Sequence, residues 1–390
     1  MKENKTEKEN KQEKVEKPKK SKEKLNLPYE FDASQLKGEA TEVLLPISVA
    51  QLIEAVKKYD AITPRGGGTG LAGGCVPTNS VVLDLSKLDK IKEFDEKRKK
   101  VIVEAGVILE DLQNFLLPYG LEFPVKPSSY KACTIGGMIA TDAVGNRAIK
   151  YGRTSRWVDW IEIINADGHL ERKGKTELAD YSGMEGITGI IVAASLSLSE
   201  IRERTAELFS YDSLEEVMEK VKSLKHNENV SMIEFLDKKA SGLVGMPKKY
   251  TLIIEFESDE GSIKGKEYDK LFLTRDSCGP VLSREGYTIM EDPKIILDKL
   301  PEFMKICEEC GSPVFGHLGI GILHPRFSQA QAKKIAELLS FVVKTNGKVS
   351  GEHGIGATKK QYLDEGTKKI YQTVKHRIDP KNKFNPGKII

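Results

Sequence analysis

The sequence predicts a two-part α+β protein, and three observations predict it. First, 390 residues is long for a single domain, because domains run about 100–200 residues. Second, the first half alternates glycine-rich segments with runs of branched apolar residues that read as buried strands. Third, after Glu200 the elements become smaller and more charged and run strand, helix, strand, the mark of a second α+β unit. With 39% apolar and 31% charged residues the composition is that of a globular chain, neither collagen-like nor wholly disordered. No run approaches the roughly 20 apolar residues of a membrane span, so an integral membrane protein is not expected. The N-terminus lacks the apolar core of a secretory signal. Five thinly spread cysteines do not make a disulfide framework, and a cytoplasmic location is expected.

Charge is unevenly placed. Residues 1–24 hold ten Lys and six Glu, a net of +4, whereas the whole chain is +3, which leaves −1 on residues 25–390. This stretch has a single Val among its polar residues, too little apolar surface to offset the entropy of ordering, and reads as a disordered basic tail that aids solubility. The near-neutral body gives no reason to expect a nucleic-acid partner.

Order is expected from about Leu25–Phe31. Ser48 with Gln51 three residues on has the capping-box pattern, and Leu52, Ile53 and Val56 give the following helix an apolar face. Val81–Leu85 and Val101–Ala105 read as strands. Ile108–Leu117 reads as a helix with Leu109, Leu112 and Leu116 on one side and Gly120 past its end. Val158–Ile164 and Ile187–Leu198 are strand-like. In the second half, Thr205–Ser210, Ser231–Phe235 and Thr251–Phe256 read as strands. Ser213–Leu224 is a helix, with apolar residues at 214, 217, 218, 221 and 224. Further helices are expected over Lys294–Cys310, interrupted by Pro301, and over Gln329–Lys344.

The strongest local feature is Pro64-Arg65-Gly66-Gly67-Gly68-Thr69-Gly70-Leu71-Ala72-Gly73-Gly74, with six glycines in nine residues. Such a run lets the backbone adopt positive φ and turn its N–H groups on an anion, so it reads as a phosphate or pyrophosphate cradle. It lacks the Gly-Lys-Ser/Thr of a P-loop. Gly68–Gly73 matches G-x-G-x-x-G, but runs into Cys75-Val76-Pro77 and a strand rather than opening a helix, which argues against a Rossmann site. Two segments of the same kind follow. One is Pro127-Ser128-Ser129 with Cys133–Met138 and Ala140–Gly145; the other carries Gly183, Gly186 and Gly189. A single phosphate needs one such loop, and a long dinucleotide needs several.

These motifs, in the order PRGGGTGLAGG, VVLDLSKL, VEAGVILEDL, PSS, CTIGGMIATDAVG, YGRT and EGITGII, resemble the FAD-binding domain of the vanillyl-alcohol-oxidase/PCMH superfamily. Within it the chain is similar to the FAD-linked oxidases of the glycolate oxidase and D-lactate dehydrogenase type, over about residues 38–390. The resemblance implies a PCMH-type FAD-binding domain over 25–200, a smaller antiparallel-sheet cap over 201–345, and a C-terminal segment, 346–390, that returns to complete the flavin site. It implies that Arg65, Gly66, Gly67, Gly68, Thr69, Gly70, Pro127 and Ser128 approach the pyrophosphate. Thr134, Gly136, Gly137, Thr141, Gly145, Gly189, Ile190 and Ile191 would line the flavin, with Asn385 in the C-terminal signature Asn385-Pro386-Gly387-Lys388. No histidine precedes His169, so FAD is expected to be bound non-covalently, with Cys75 and Cys133 as small buried residues.

Three of the six histidines sit in two short motifs, His317-Leu318-Gly319-Ile320-Gly321-Ile322-Leu323-His324 and Gly351-Glu352-His353-Gly354. The glycines argue against a helix, so a bulge or turn is needed to bring His317 and His324 together. Imidazole with carboxylate suits Zn²⁺, Mn²⁺ or Fe²⁺, and His317, His324 and Glu352 would leave an open position for substrate. From the residues alone, buried hydrogen-bonded histidines remain the other reading. Metal-binding relatives carry H-x-G-D-G-N-x-H and a later E-H-G; here Ile320 and Ile322 replace the Asp and Asn. The resemblance assigns His353 as active-site base and Arg275 as the partner of a substrate carboxylate. The implied activity is FAD-dependent oxidation of a small D-2-hydroxy acid such as D-lactate, glycolate or D-2-hydroxyglutarate. Quinone, an iron–sulfur subunit, an electron-transfer flavoprotein or oxygen would be the electron acceptor. A non-redox flavin enzyme resembling alkyl-dihydroxyacetone-phosphate synthase and a metal-dependent hydrolase are the alternatives. Cys307-Glu308-Glu309-Cys310 has no second thiolate pair and is read as incidental.

Overall fold

The computed structural model describes residues 27–224 and 226–390, so the basic tail and the expected first ordered residues at Leu25 and Asn26 lie outside the described residues. The first half builds two sheets. Glu39–Leu44, Thr78–Asp84 and Ile62–Arg65 form a parallel sheet with Thr78–Asp84 in the centre. Ile91–Asp95, Lys100–Glu104, Ile190–Ser197, Val158–Ile164 and Leu170–Gly174 form an antiparallel sheet in that order. The central strand Ile190–Ser197 is buried along nearly its whole length, as its unbroken apolar run requires. Its expected start at Ile187 moves three residues on, because Gly183, Gly186 and Gly189 all take positive φ and keep the chain turning up to that point.

The helix Val49–Lys58 begins at Ser48, whose hydroxyl accepts from the Gln51 N–H. The reciprocal half of the expected box differs: Gln51 Oε1 accepts from the Ile47 N–H, 2.9 Å. Leu109–Leu116 is helical as expected and buries Leu109, Leu112 and Leu116. One continuous core joins these elements, with Leu52, Val56, Leu83, Val103, Leu112, Ile161 and Leu196 among its buried members.

The second half is organised on one six-stranded sheet. Its order is Thr205–Tyr211, Tyr250–Phe256, Val230–Leu236, Val314–His317, Ile322–Phe327 and Ile289–Met290, and every strand pair in it is antiparallel. Strand alternation divides its side chains between two faces. Phe235, Leu252 and Ile254 pack with the helices Leu214–Ser223, Leu300–Glu309 and Lys333–Lys344. Leu236, Ile253 and Phe315 face Lys238–Leu243, Gly265–Asp276 and Cys278–Arg284. Pro301 does not interrupt a helix; it sits in the first turn of Leu300–Glu309, where its missing N–H costs nothing, and Lys294 lies in an extended bridge to Lys348.

The two halves meet through buried charges. Arg147 chelates Glu255 at 2.7 and 2.9 Å, and Lys150 reaches Glu257 at 2.7 Å. Arg204 bridges Glu122 and Glu257. The C-terminal segment then ties back to the first half. Phe384 is buried in the first core, and the Asn385 N–H donates to the Ile62 carbonyl at 2.6 Å. Lys375 donates to the Ile187 and Phe384 carbonyls and to Asp379 from a buried position. Phe384→Ala is expected to cost about 3–5 kcal/mol, measured as a shift of the urea midpoint. A loss under about 1 kcal/mol would show that the returning segment is dispensable for the first core.

Candidate functional site

A cavity of about 1040 Å³ runs between the glycine-rich loops of the first half and the sheet of the second. It sits at the upper end of the ~300–1,000 Å³ usual for small-molecule sites. At one end the backbone of residues 66–70 packs against Ala132–Thr134. A Cβ on Gly67 would lie 1.9 Å from the Ala132 carbonyl oxygen, and one on Gly66 would lie 2.3 Å from Thr134 Oγ1. Glycine is therefore required here by close approach of two backbones, and the cradle presents main chain to the cavity. Thr134 caps the helix Ile135–Thr141 by accepting from the Gly137 N–H.

The opposite end carries the histidines. Val314–His317 and Ile322–Phe327 are hairpin partners joined through Gly321, φ 74°, and Phe315 lies opposite His324. The hairpin, rather than a bulge within one strand, brings His317 and His324 together, with ring centroids 5.3 Å apart. The loop that follows Ser350 delivers Glu352 between them. Its carboxylate lies 3.6 Å from His317 Nε2, 3.1 Å from His324 Nε2 and 3.1 Å from His353 Nε2. One ligand atom from each of His317, His324 and Glu352 falls within 4.8 Å of the others. The His353 ring stacks on His324 at 5.3 Å.

Two buried carboxylates hold this cluster. Glu234 pairs with His317 Nδ1 at 2.5 Å and accepts from Arg275 Nε and Nη2 at 2.8 and 2.6 Å. Burial opposes its ionisation, but Arg275 and His317 outweigh that and hold it down to about 2. Asp292 accepts from the backbone N–H groups of Gly351, Glu352 and His353 at 3.1, 2.7 and 2.7 Å. It also takes the Ser350 hydroxyl and the Lys359 ammonium. Burial disfavours the charge of His317, yet Glu234 and Glu352 push it up to about 9. His353 is likewise raised against burial by Asp292 and Glu352, whereas burial lowers His324.

The donor set suits a divalent metal. Two Nε2 atoms converge on one carboxylate, and the Glu234 bond at His317 Nδ1 fixes that ring with Nε2 turned inward, the usual outer-shell support of a ligating histidine. The glycine cradle suits a long, backbone-contacted ligand.

Of the residues singled out in the sequence, Arg65–Gly70, Pro127, Ser128, Thr134, Gly136, Gly137, Thr141, Gly145, Gly189 and Ile191 line the cavity, as do Arg275, His317, His324, Glu352 and His353. Ile190 does not; alternation along its strand turns it into the first core. Asn385 sits behind the cradle, its amide donating to the Gly74 and Glu185 carbonyls at 2.7 Å each. Arg65 turns its guanidinium to the Phe31 carbonyl, 2.8 Å, and Cys75. Arg275 is occupied by Glu234 and, through Nη1, by the exposed Asp276 at 3.1 Å. Cys75 and Cys133 are thiols that burial pushes up to about 11. Sequence reasoning missed Glu234, Glu185 and Asp292. A lone Glu in the apolar strand Val230–Leu236 was the available signal for the first.

Residues 40–174 match the FAD binding domain model, and residues 201–273 and 268–389 match the C-terminal domain of FAD linked oxidases. Among curated relatives, a D-lactate dehydrogenase of Archaeoglobus fulgidus is 31% identical over 86% of this chain and 87% of its own. The chain belongs to the FAD-linked oxidase family. The glycolate oxidase subunit GlcD of Bacillus subtilis is 28% identical over 93% of this chain and 92% of its own. A D-2-hydroxyglutarate dehydrogenase of Xanthomonas citri pv. viticola is 27% identical over 89% and 88%. Among the described residues no helix of this family member is long and apolar enough to cross a membrane.

Two expectations follow for the scaffold of the site. Asp292→Asn leaves Lys359 buried without its main partner and turns an amide against backbone donors, so a stability loss of about 3–5 kcal/mol is expected in denaturant unfolding. Glu185 accepts from the Ile355 and Gly356 N–H groups, yet burial pushes it up to about 7. The folded state then binds this proton more tightly than the unfolded chain. Stability therefore falls as pH rises from the ordinary Glu range, near 4.5, through about 7. Glu185→Gln, compared with wild type from pH 5 to 8, should flatten that slope; an unchanged slope would assign it to another group.

Proposed function

We propose that this chain oxidises a small D-2-hydroxy acid to the 2-oxo acid, with His353 as the base. The observation that carries the reading is the convergence of His317, His324, Glu352 and His353 at one end of the cavity whose other end is the glycine cradle. FAD would be held along residues 66–70 and 134–145, where it would supply the two-electron acceptor for the hydride of the α-carbon. The chain supplies the rest. The His353 imidazole, beside the Glu352 carboxylate, takes the hydroxyl proton as the hydride leaves. Asp292, 3.6 Å from Nδ1, favours the imidazolium that forms. Arg275 keeps its Nε and Nη2 edge on Glu234 and exchanges Asp276 for the substrate's α-carboxylate at Nη1. The substrate is thereby fixed between cradle and cap.

A divalent ion such as Zn²⁺, Mn²⁺ or Fe²⁺ would be held by His317, His324 and Glu352. There it would polarise the substrate hydroxyl and lower its pKa. The names of the relatives support a lactate, glycolate or hydroxyglutarate substrate. Quinone, an iron–sulfur partner, an electron-transfer flavoprotein or oxygen would reoxidise the flavin.

The test is the visible spectrum of purified protein before and after anaerobic D-lactate, glycolate and D-2-hydroxyglutarate. Bleaching of the flavin band by one of them is expected; a flavin band that none of them bleaches would overturn the reading. His353→Asn should retain FAD and slow the bleaching about 10²–10⁴-fold. His324→Ala should lose a stoichiometric divalent ion found by elemental analysis while keeping FAD. Equal metal content in both proteins would remove the metal from the scheme.

A further inference from the structure

The chemistry above leaves one buried cation of the cavity unused. Arg326 lies on Ile322–Phe327 two residues after His324, so both side chains project from the same face of the sheet. It is only 4% exposed and lines the cavity. Its Nε and Nη2 donate to the Tyr287 carbonyl at 3.0 and 2.8 Å, and Nη2 also to Ser283 Oγ at 2.5 Å. Nη1 meets nothing better than the Met290 thioether, 3.1 Å. Among the described residues no carboxylate lies within 4 Å of its guanidinium, whereas Arg147 and Arg275 in the same cavity are each paired with a buried Glu. A buried guanidinium with neutral partners carries an uncompensated charge, which is costly unless an anion arrives. The neutral acceptors hold one edge of the plane and leave the Nη1 corner for it.

We propose that Arg326 takes a second carboxylate of the substrate, so that the cavity selects hydroxy-dicarboxylic acids over hydroxy-monocarboxylic acids. This rests on the function proposed above and narrows its substrate class. Same-face neighbours on a strand stand about 6.5–7 Å apart. Three C–C bonds of about 1.5 Å each and a hydrogen bond of about 2.9 Å bridge that spacing from a carbinol carbon near His324. A monoacid has its only carboxylate one bond from the carbinol carbon and engages Arg275 alone. A diacid spans Arg275 and Arg326.

The experiment uses the FAD-loaded full chain and anaerobic stopped-flow reduction of the flavin by D-2-hydroxyglutarate and by D-lactate. Wild type should prefer the diacid in kcat/KM. In Arg326→Gln the diacid-to-monoacid ratio should fall about 10–100-fold, the worth of a charge-assisted bond, and Arg326→Lys should recover part of it. A wild type that prefers D-lactate, or a ratio that survives in Arg326→Gln because both acids lose equally, would overturn the proposal and leave Arg326 a packing residue. Retained FAD and an unchanged thermal midpoint establish that each variant is folded. Should neither acid reduce the flavin, the proposed function fails. Calorimetry with 2-oxoglutarate and pyruvate then decides the role of Arg326 separately. Selective loss of 2-oxoglutarate affinity in Arg326→Gln supports it, and absence of that selectivity sinks it.

Discussion

Asp292 is the carboxylate on which the site depends. Three successive backbone N–H groups, those of Gly351, Glu352 and His353, point at it, and the Ser350 hydroxyl and Lys359 add two more donors. A loop that folds around one anion in this way has no freedom to slide, because losing the anion would orphan several buried donors at once. That rigidity places Glu352 between His317 and His324, and His353 against the His324 ring. Glu185 repeats the device a few residues on, accepting from Ile355 and Gly356. Asp292 follows the short edge strand of the second half, whereas Glu185 follows the flavin-side helices of the first. The loop is thus pinned to both halves by two carboxylates, which fix its place between cradle and histidines.

The same economy governs the interface. Arg147 and Lys150 of the first half meet Glu255 and Glu257 of the second, and Arg204 of the second half reaches back to Glu122 of the first. Buried ion pairs contribute little net stability once desolvation is counted, but they penalise any misaligned docking heavily. A reaction that needs a reacting carbon within bonding reach of a cofactor held by the other half gains more from such alignment than from additional cohesion.

Much of this was legible in the sequence, and the remainder had physical reasons to be hidden. The glycine run was informative because at Gly67 close backbone approach tolerates no Cβ and at Gly68 the chain takes positive φ, and both requirements are local. The histidine motifs were informative because their glycines argued against a helix, and the turn through Gly321 supplies the convergence. The strand over residues 158–164 declared itself by its apolar run. By contrast, the helix Gly265–Asp276 buries only Leu271 and Arg275, so it offered no periodic face to detect. The partners of the site are equally silent locally. Glu234 is 83 residues from His317 and Asp292 is 61 from His353, and no pattern within either segment announces such a meeting. Ile190 and Ile191 were both expected at the flavin; the register of the strand Ile190–Ser197, which the motif alone does not fix, decides that Ile191 lines the cavity and Ile190 does not.

The isoleucines at 320 and 322 show what the structure does with the departure from the polar pattern. Ile322 is fully buried, packs with Val144 and Ala148 of the flavin side, and has Ile320 against it. A Cβ on Gly351 would come within 2.5 Å of the Ile322 side chain, so the loop carrying Glu352 is seated directly on this apolar wall. Hydrocarbon at 320 and 322 offers no hydrogen bond on this side of the cluster. Each remaining charge then acts across a less polarisable medium, where a carboxylate 2.5 Å from His317 Nδ1 counts for more than it would beside solvent. Glu234 and Glu352 therefore carry the electrostatics of the histidine site without polar neighbours at 320 and 322. Beside this apolar wall it is the Glu234–Arg275 pair that holds the His317 ring.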